Sequence, residues 1–325
     1  METLAKPLSE TMEPRPAVPA PAQAVPAGSR IVLVGNPNVG KSVIFGLLTG
    51  RYVTVSNYPG TTVTVTRGRA KLDGHSTEVV DTPGVLSLVP MSEDERVSRD
   101  ILLERNPDAV VQVADAKNLR RSLLITSQLA EMGLPIVMDL NMSDEAEDLG
   151  VRIDREMLER ALGVPVVRTV AVRRKGFDDL REAIRTPRTS SWSIAYPAAV
   201  EDAVRDMMPI LPDTHVARRA LALMLLANGD TLLPWLEPRI GPEAIETLER
   251  IRRQATVRAR EPLGTLINRA RLKAVDEVLK EAERRPEHRP GSLLELLGQW
   301  SMHPVAGIPV LLAVLYAMYQ FVGVF

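Results

Sequence analysis

Three short loops hold the residues best suited to chemistry. In "GNPNVGKS", residues 35–42, Gly35 and Gly40 bracket Asn36, Pro37, Asn38 and Val39, and Lys41 and Ser42 follow. Glycines at that spacing let backbone N–H groups turn inward around phosphate oxygens, at the positive end of the helix that follows. Lys41 would then neutralise β- and γ-phosphates, and the Ser42 hydroxyl would ligate Mg2+. In "DTPG", residues 81–84, Asp81 can hold the hydration shell of that ion and the Gly84 N–H can sense a γ-phosphate; Thr82 and Pro83 lie between them. In "NMSD", residues 141–144, the Asp144 carboxylate can accept from both the N1–H and the 2-amino group of guanine, neither of which adenine offers. Asn141 is expected to tie the phosphate loop to this one, with Met142 and Ser143 completing the loop.

A fourth stretch, "SNYPGTT", lies between the first helix and a hairpin. Thr62 is placed to give Mg2+ a hydroxyl and a γ-phosphate its N–H, with Thr61 and Thr64 as alternative ligands. Pro59 and Gly60 make the flexible turn that a loop ordered only by triphosphate needs. Each piece has a plainer reading: a Gly-rich turn with a solvated Lys, a D-x-x-G turn, an N-cap by Ser143 or Asp144. Those readings do not explain the ordered set. Kinases and ATPases share the cradle but lack the guanine-reading Asp. The expected activity is therefore hydrolysis of GTP to GDP and phosphate.

These loops need a scaffold. The apolar runs "RIVLVG", "TEVVDT", "DAVVQVADA", "LPIVMDLN" and "VPVVRTV" alternate with amphipathic segments such as "NLRRSLLITSQLAEMG". Continuous β-branched runs suit strands covered on both faces. "TVTVTRGRAKLDG" alternates and ends on Asp73 and Gly74, a hairpin signal into "HSTEVVD". The fold class expected is α/β: a P-loop GTPase (Ras-like), doubly wound and mostly parallel, over residues 30–187. Strand signals vanish after Trp192, and residues 188–298 are expected to form an all-α domain of four or more helices.

The ends differ from the middle. Residues 1–29 are Pro- and Ala-rich and are expected to be a disordered tail. No Asp, Glu, Lys or Arg follows Glu295, and residues 304–325 are almost wholly apolar. At ~1.5 Å per residue they would make about 33 Å of helix, enough for a transmembrane helix through a lipid bilayer. Arg284, Arg285 and Arg289 upstream place the bulk of the chain on the cytoplasmic side. Residues 299–325 thus form the last expected unit, and the chain stops at Phe325 like an interrupted protein. With 40 Lys and Arg against 41 Asp and Glu in 325 residues, no global field advertises nucleic acid as a partner. The absence of Cys removes disulfides, thiolate metal sites and thiol catalysis, and the four His are scattered.

The series "GNPNVGKS", "SNYPGTTV", "DTPGVLSLVPMSEDERVSRD", "LNMSDEAEDLG", "LGVPVV" and "HPVAGIPVLLAVLY" resembles, in order, the cytoplasmic part of the ferrous iron transport protein B (FeoB) family. The resemblance implies a G domain, a helical domain that modulates guanine-nucleotide release, and a membrane permease for Fe2+ that is missing here. It implies an inner-membrane location (multi-pass at full length), small Feo accessory proteins as partners, and homo-oligomers. It also implies that Asn38 helps hold K+, whose charge beside the phosphates replaces an arginine finger. Val85 stands where Ras-like enzymes keep a water-orienting Gln, so hydrolysis is expected to be slow without that ion. The fifth guanine loop departs from the family pattern: it reads "TVA", residues 169–171, with Val170 in place of a Ser, leaving the Ala171 N–H for guanine O6. Two alternatives carry the same nucleotide motifs: a soluble GTPase bound to ribosome or RNA, and a signalling switch whose GTP state controls a partner.

Overall fold

The structure, a computed structural model, describes residues 29–50, 53–72, 74–285 and 307–323. The expected tail lies, but for Ser29, outside these residues, as do Asp73 of the hairpin turn and residues 286–298 of the expected helical domain. Residues 1–284 and 285–325 form two units.

In the first unit the strands run β1 Arg30–Gly35, β2 Val53–Asn57, β3 Thr64–Leu72, β4 His75–Asp81, β5 Ala109–Asp115, β6 Pro135–Asn141, β7 Arg152–Ile153, β8 Val166–Arg168, β9 Arg188–Thr189 and β10 Glu283–Arg284. The helices of its first half are α1 Lys41–Thr49, α2 Glu93–Glu104, α3 Leu119–Met132, α4 Ser143–Asp148, α5 Arg155–Leu162 and α6 Phe177–Arg185. The main sheet has the order β2-β3-β4-β1-β5-β6-β8, with β9 against β6. Its centre, β4-β1-β5-β6-β8, is parallel; β2, β3 and β9 are antiparallel.

The β-branched runs explain that centre. Val32 sits in register with Val80 and Val110, and side chains alternate between two buried faces. One face takes Val32, Val110 and Met138, packed with α3 residues such as Leu123 and Leu129. The other takes Leu33, Val111 and Val137, packed with Ile44 and Leu48 of α1 and Leu180 and Ile184 of α6. Connections on both faces leave the carboxyl ends of β1, β4, β5 and β6 along one edge, where a doubly wound sheet binds its ligands.

The second half of this unit is helical, as expected: α7 Ala198–Met207, α8 Arg218–Asn228, α9 Leu233–Ile240, α10 Pro242–Ala259 and α11 Leu263–Ala282. α11 lies along α3 and α8. The buried Arg271 reaches across to Glu131 of α3 (Nη2–Oε2 2.6 Å) and donates from Nε to the Tyr196 hydroxyl at 3.2 Å. Losing one member of such a buried pair strands the other's charge, so the pair fixes how α11 seats.

Three details depart from the sequence reading. β2 extends the expected hairpin to three strands; its residues are all exposed, so burial imposes no alternation to read. β9 adds an antiparallel edge at β6. β10, in a region where strands are not expected, pairs with β7, and two-residue strands leave no period in the sequence.

In the second unit the described element is a helix, α12, Gly307–Gly323, of 17 residues. At ~1.5 Å per residue it measures about 26 Å, against about 30 Å of bilayer hydrocarbon. Among the described residues no helix is long and apolar enough to cross a membrane. The expected span over residues 304–325 extends past α12 at both ends, where residues 304–306 and 324–325 lie outside the described residues. Within α12, Leu311, Leu312, Tyr316, Tyr319 and Phe321 are exposed.

Candidate functional site

The phosphate loop is shaped by what cannot fit in it. A Cβ on Gly35 would lie 2.4 Å from the Val113 carbonyl oxygen, and one on Gly40 would lie 2.3 Å from Asn141 Nδ2. Gly40 (φ 86°) and Asn38 (φ 64°) are both left-handed, which sets the loop's reversal into α1. Lys41, only 9% exposed, bonds the Asp81 carboxylate and the Thr82 carbonyl. Ser42 Oγ donates to Asp81 Oδ2 at 3.1 Å. Hydroxyl and carboxylate are hard oxygen donors of the kind Mg2+ takes, so these two groups fit the ion.

Asn36 anchors the loop from within. Its Nδ2 donates to the Val85 carbonyl at 3.0 Å, and its Oδ1 accepts from Ser122 Oγ of α3 at 3.3 Å. Pro37 and Asn38 are exposed at the rim, while Val39 is buried.

Asn141, 3% exposed, joins three loops. Its Nδ2 donates to Val39 O at 2.8 Å, and its Oδ1 accepts from Ala171 N at 2.9 Å and lies 3.2 Å from Thr169 Oγ1. The Ala171 N–H, expected to meet guanine O6, is therefore engaged by Asn141 here. Met142 adopts φ 59°, and Ser143 Oγ donates to Leu140 O at 2.7 Å, which bends the chain so that α4 starts at once. Asp144 sits at the mouth: Oδ1 accepts from Glu145 N at 3.0 Å and Oδ2 lies 3.3 Å from Arg173 Nη1. Val170 is buried, its backbone paired with Lys175, so the departure from Ser places an apolar group in the core.

The two switch loops differ. In the first, Gly60 has φ 75°, and Thr61 Oγ1 donates to Tyr58 O at 3.0 Å and accepts from Val63 N at 3.2 Å. Thr62 Oγ1 reaches Glu93 Oε2 at 3.4 Å, so it is not gathered with Ser42 and Asp81. Tyr58 donates to Glu104 at 2.8 Å; burial, then that bond, pushes its hydroxyl pKa up. In the second switch, Thr82 Oγ1 donates to Leu33 O at 2.9 Å, and a Cβ on Gly84 would lie 3.0 Å from the Pro37 backbone. Val85 is fully buried and its N–H donates to Gly35 O at 2.9 Å.

Sequence reasoning missed Glu95. Its carboxylate accepts from Leu86 N at 3.1 Å, Ser87 N at 3.2 Å and Met91 N at 2.8 Å, pinning the second switch to α2. Ser92-x-x-Glu95 matches a capping box, and Ser92 does cap Glu95 N at 3.3 Å. That signal marks the helix start, but Glu95 turns outward to the loop instead of back to its cap. α2 is held in turn by the helical half: Arg99, 1% exposed, donates to Thr231 Oγ1 at 2.9 Å and to Thr231 O at 2.8 Å.

Comparison with known proteins accords with this geometry. Residues 29–184 match the family model for ferrous iron transport protein B, and residues 196–283 that for the FeoB cytosolic helical domain. A crystal structure of an S. thermophilus NFeoB mutant bound to GDP is 31% identical, covers 79% of this chain and is itself covered in full, with TM-score 0.69. The Fe(2+) transporter FeoB of Legionella pneumophila is 30% identical over 304 residues, 89% of this chain and 38% of that protein. A Fe(2+) transport protein A/Fe(2+) transporter FeoB fusion protein of Porphyromonas gingivalis is 33% identical over 310 residues, 90% of this chain and 36% of that protein. The chain thus spans less than two-fifths of the length of these curated relatives.

Proposed function

The chain belongs to the ferrous iron transport protein B family, and on that premise we propose that it is the GTP-binding and GTP-hydrolysing cytoplasmic region of a Fe2+ membrane transporter. The observation that carries the reading is the single side chain of Asn141, which bonds the phosphate loop and the fifth guanine loop at once. It makes one nucleotide site of loops far apart in sequence.

Within that site Lys41 exchanges the Asp81 carboxylate for phosphate oxygens, and Asp144 accepts from the guanine edge. Ser42, Asp81 and, once it leaves Glu93, Thr62 would hold Mg2+, and Asn38 would hold K+. These cations, when bound, supply positive charge against the phosphate oxygens. The buried Val85 offers no side chain to orient water, which supports slow intrinsic hydrolysis. A Cβ on Gly84 would lie 3.0 Å from the Pro37 backbone, and this close approach supports a role for the Gly84 N–H where the second switch meets the cradle.

Iron passage belongs to the longer protein. The permease region, the inner-membrane location and tethering through residues 304–325 are parts of this proposal. A small Feo accessory partner is supported by the relative in which transport protein A and FeoB are one chain. The comparisons favour this reading over a ribosome-associated GTPase. Calorimetry of the full chain tests it: GDP and GTP should bind and ADP and ATP should not, and heat with adenine nucleotides alone would overturn it. Membrane fractionation with and without residues 304–325 tests the tether; identical partitioning would end it.

A further inference from the structure

Asp139 lies in the middle of β6, fully buried, two residues before Asn141 and on the same face. Its Oδ1 is 2.6 Å from Thr169 Oγ1, and its Oδ2 has no hydrogen-bond partner. Thr169 Oγ1 is in turn 3.2 Å from Asn141 Oδ1. A hydroxyl has one proton to donate, and here it faces two acceptors. Asn141 cannot relieve the conflict by flipping its amide, because Val39 O needs its Nδ2 and Ala171 N needs its Oδ1.

The two protonation states of Asp139 therefore differ at the guanine loop. Ionised, Asp139 takes the Thr169 proton, and the Thr169 and Asn141 oxygens face each other with lone pairs only. Neutral, Asp139 donates from Oδ1 to Thr169, and Thr169 donates to Asn141. The neutral form also leaves the bare Oδ2 as a carbonyl oxygen, which is far cheaper to bury than half of a carboxylate.

We propose that Asp139 is a positioning residue for guanine-nucleotide binding: with its proton bound it completes the chain Asp139–Thr169–Asn141 that holds the base loop to the phosphate loop. The proposal rests on the guanine-nucleotide reading above. The surroundings supply no rival charge. In register on β5 and β8 stand Val113 and Val167. From α6 come buried Leu180 and Ile184, with Asp178, Asp179 and Glu182 exposed, Arg181 donating to the Lys71 carbonyl and Arg185 paired with Glu182, and the charge on α1 is Lys41, already paired with Asp81. Burial, opposed only by the Thr169 bond, pushes the Asp139 carboxyl up to about 7. The sign follows: the chain is complete below that pH, and affinity falls as pH rises through it.

Titration of the full chain with GDP between pH 6.0 and 8.5 tests this. Wild type should weaken with rising pH by about fivefold more than Asp139→Asn does, the worth of one net hydrogen bond. Asp139→Asn, whose amide donates permanently to Thr169, should keep the tight, low-pH affinity. Thr169→Val, which removes the link, should bind weakly and lack the excess slope, and it carries the test if Asp139→Asn does not fold. A wild-type profile parallel to either folded variant overturns the proposal. No GDP binding by wild type at any pH would overturn the guanine reading itself, so the two failures are distinct.

Discussion

On the proposed reading the phosphate cradle and the first switch serve one nucleotide, yet they are built in opposite ways. In the cradle, Asn36, Lys41 and Asn141 are buried and each is bonded to at least two partners. In the first switch, β2 is exposed throughout, and among the described residues the Thr62 hydroxyl reaches Glu93 alone, at 3.4 Å. The difference follows what each must recognise. The α- and β-phosphates and the base are common to GDP and GTP, so preorganised groups serve both. The third phosphate must change something, and only a loop with few bonds of its own can be moved by it.

Substitutions can break or sharpen this contrast. Lys41→Ala removes two charge-assisted bonding options in the cradle and should weaken GDP binding by about 100-fold in a fluorescence titration; a loss below tenfold would mean the cradle does not depend on its lysine. Asp144→Asn should shift preference from guanosine to xanthosine nucleotides by about 10- to 100-fold in competition binding, and unchanged GDP affinity would remove Asp144 from base reading. Glu95→Ala should make the second switch resemble the first: amide exchange at Leu86, Ser87 and Met91 rises, and stability falls by about 1–3 kcal/mol in urea unfolding. Thr62→Ala should be the mildest for GDP, within about twofold, while slowing GTP hydrolysis; equal losses for both nucleotides would show the first switch to be part of the rigid cradle. Rates in K+ and Na+ should differ severalfold, and Asn38→Ala should erase that difference.

What the sequence made legible follows the same division. Lys41, Ser42, Asp81 and Asn141 could be placed because backbone phosphate cradles impose fixed spacings and the strands before them carry long β-branched runs. Glu95, Asp139 and Thr169 could not. A carboxylate three residues past a Ser reads as a cap, and a lone Asp in "LPIVMDLN" reads as the end of a strand. The roles of Asp139 and Thr169 depend on the register of β6 with β8, as Asp139 and Val167 show, while that of Glu95 depends on how the loop before α2 folds back on it. Thr62 is legible by type and neighbourhood, but its partner Glu93 is 31 positions away, in a stretch quoted for its order and not for any contact with the first switch. β7 and β10 are too short for any period.

That last pair has a mechanical side. The first unit ends at Arg284, in a two-rung ladder with β7 whose outer rung sets Arg284 opposite Arg152, two like charges. A rung of like charges is less stable than one of opposite charges. Opening the ladder would free two residues, about 7 Å of extended chain, without breaking a rung of the main sheet.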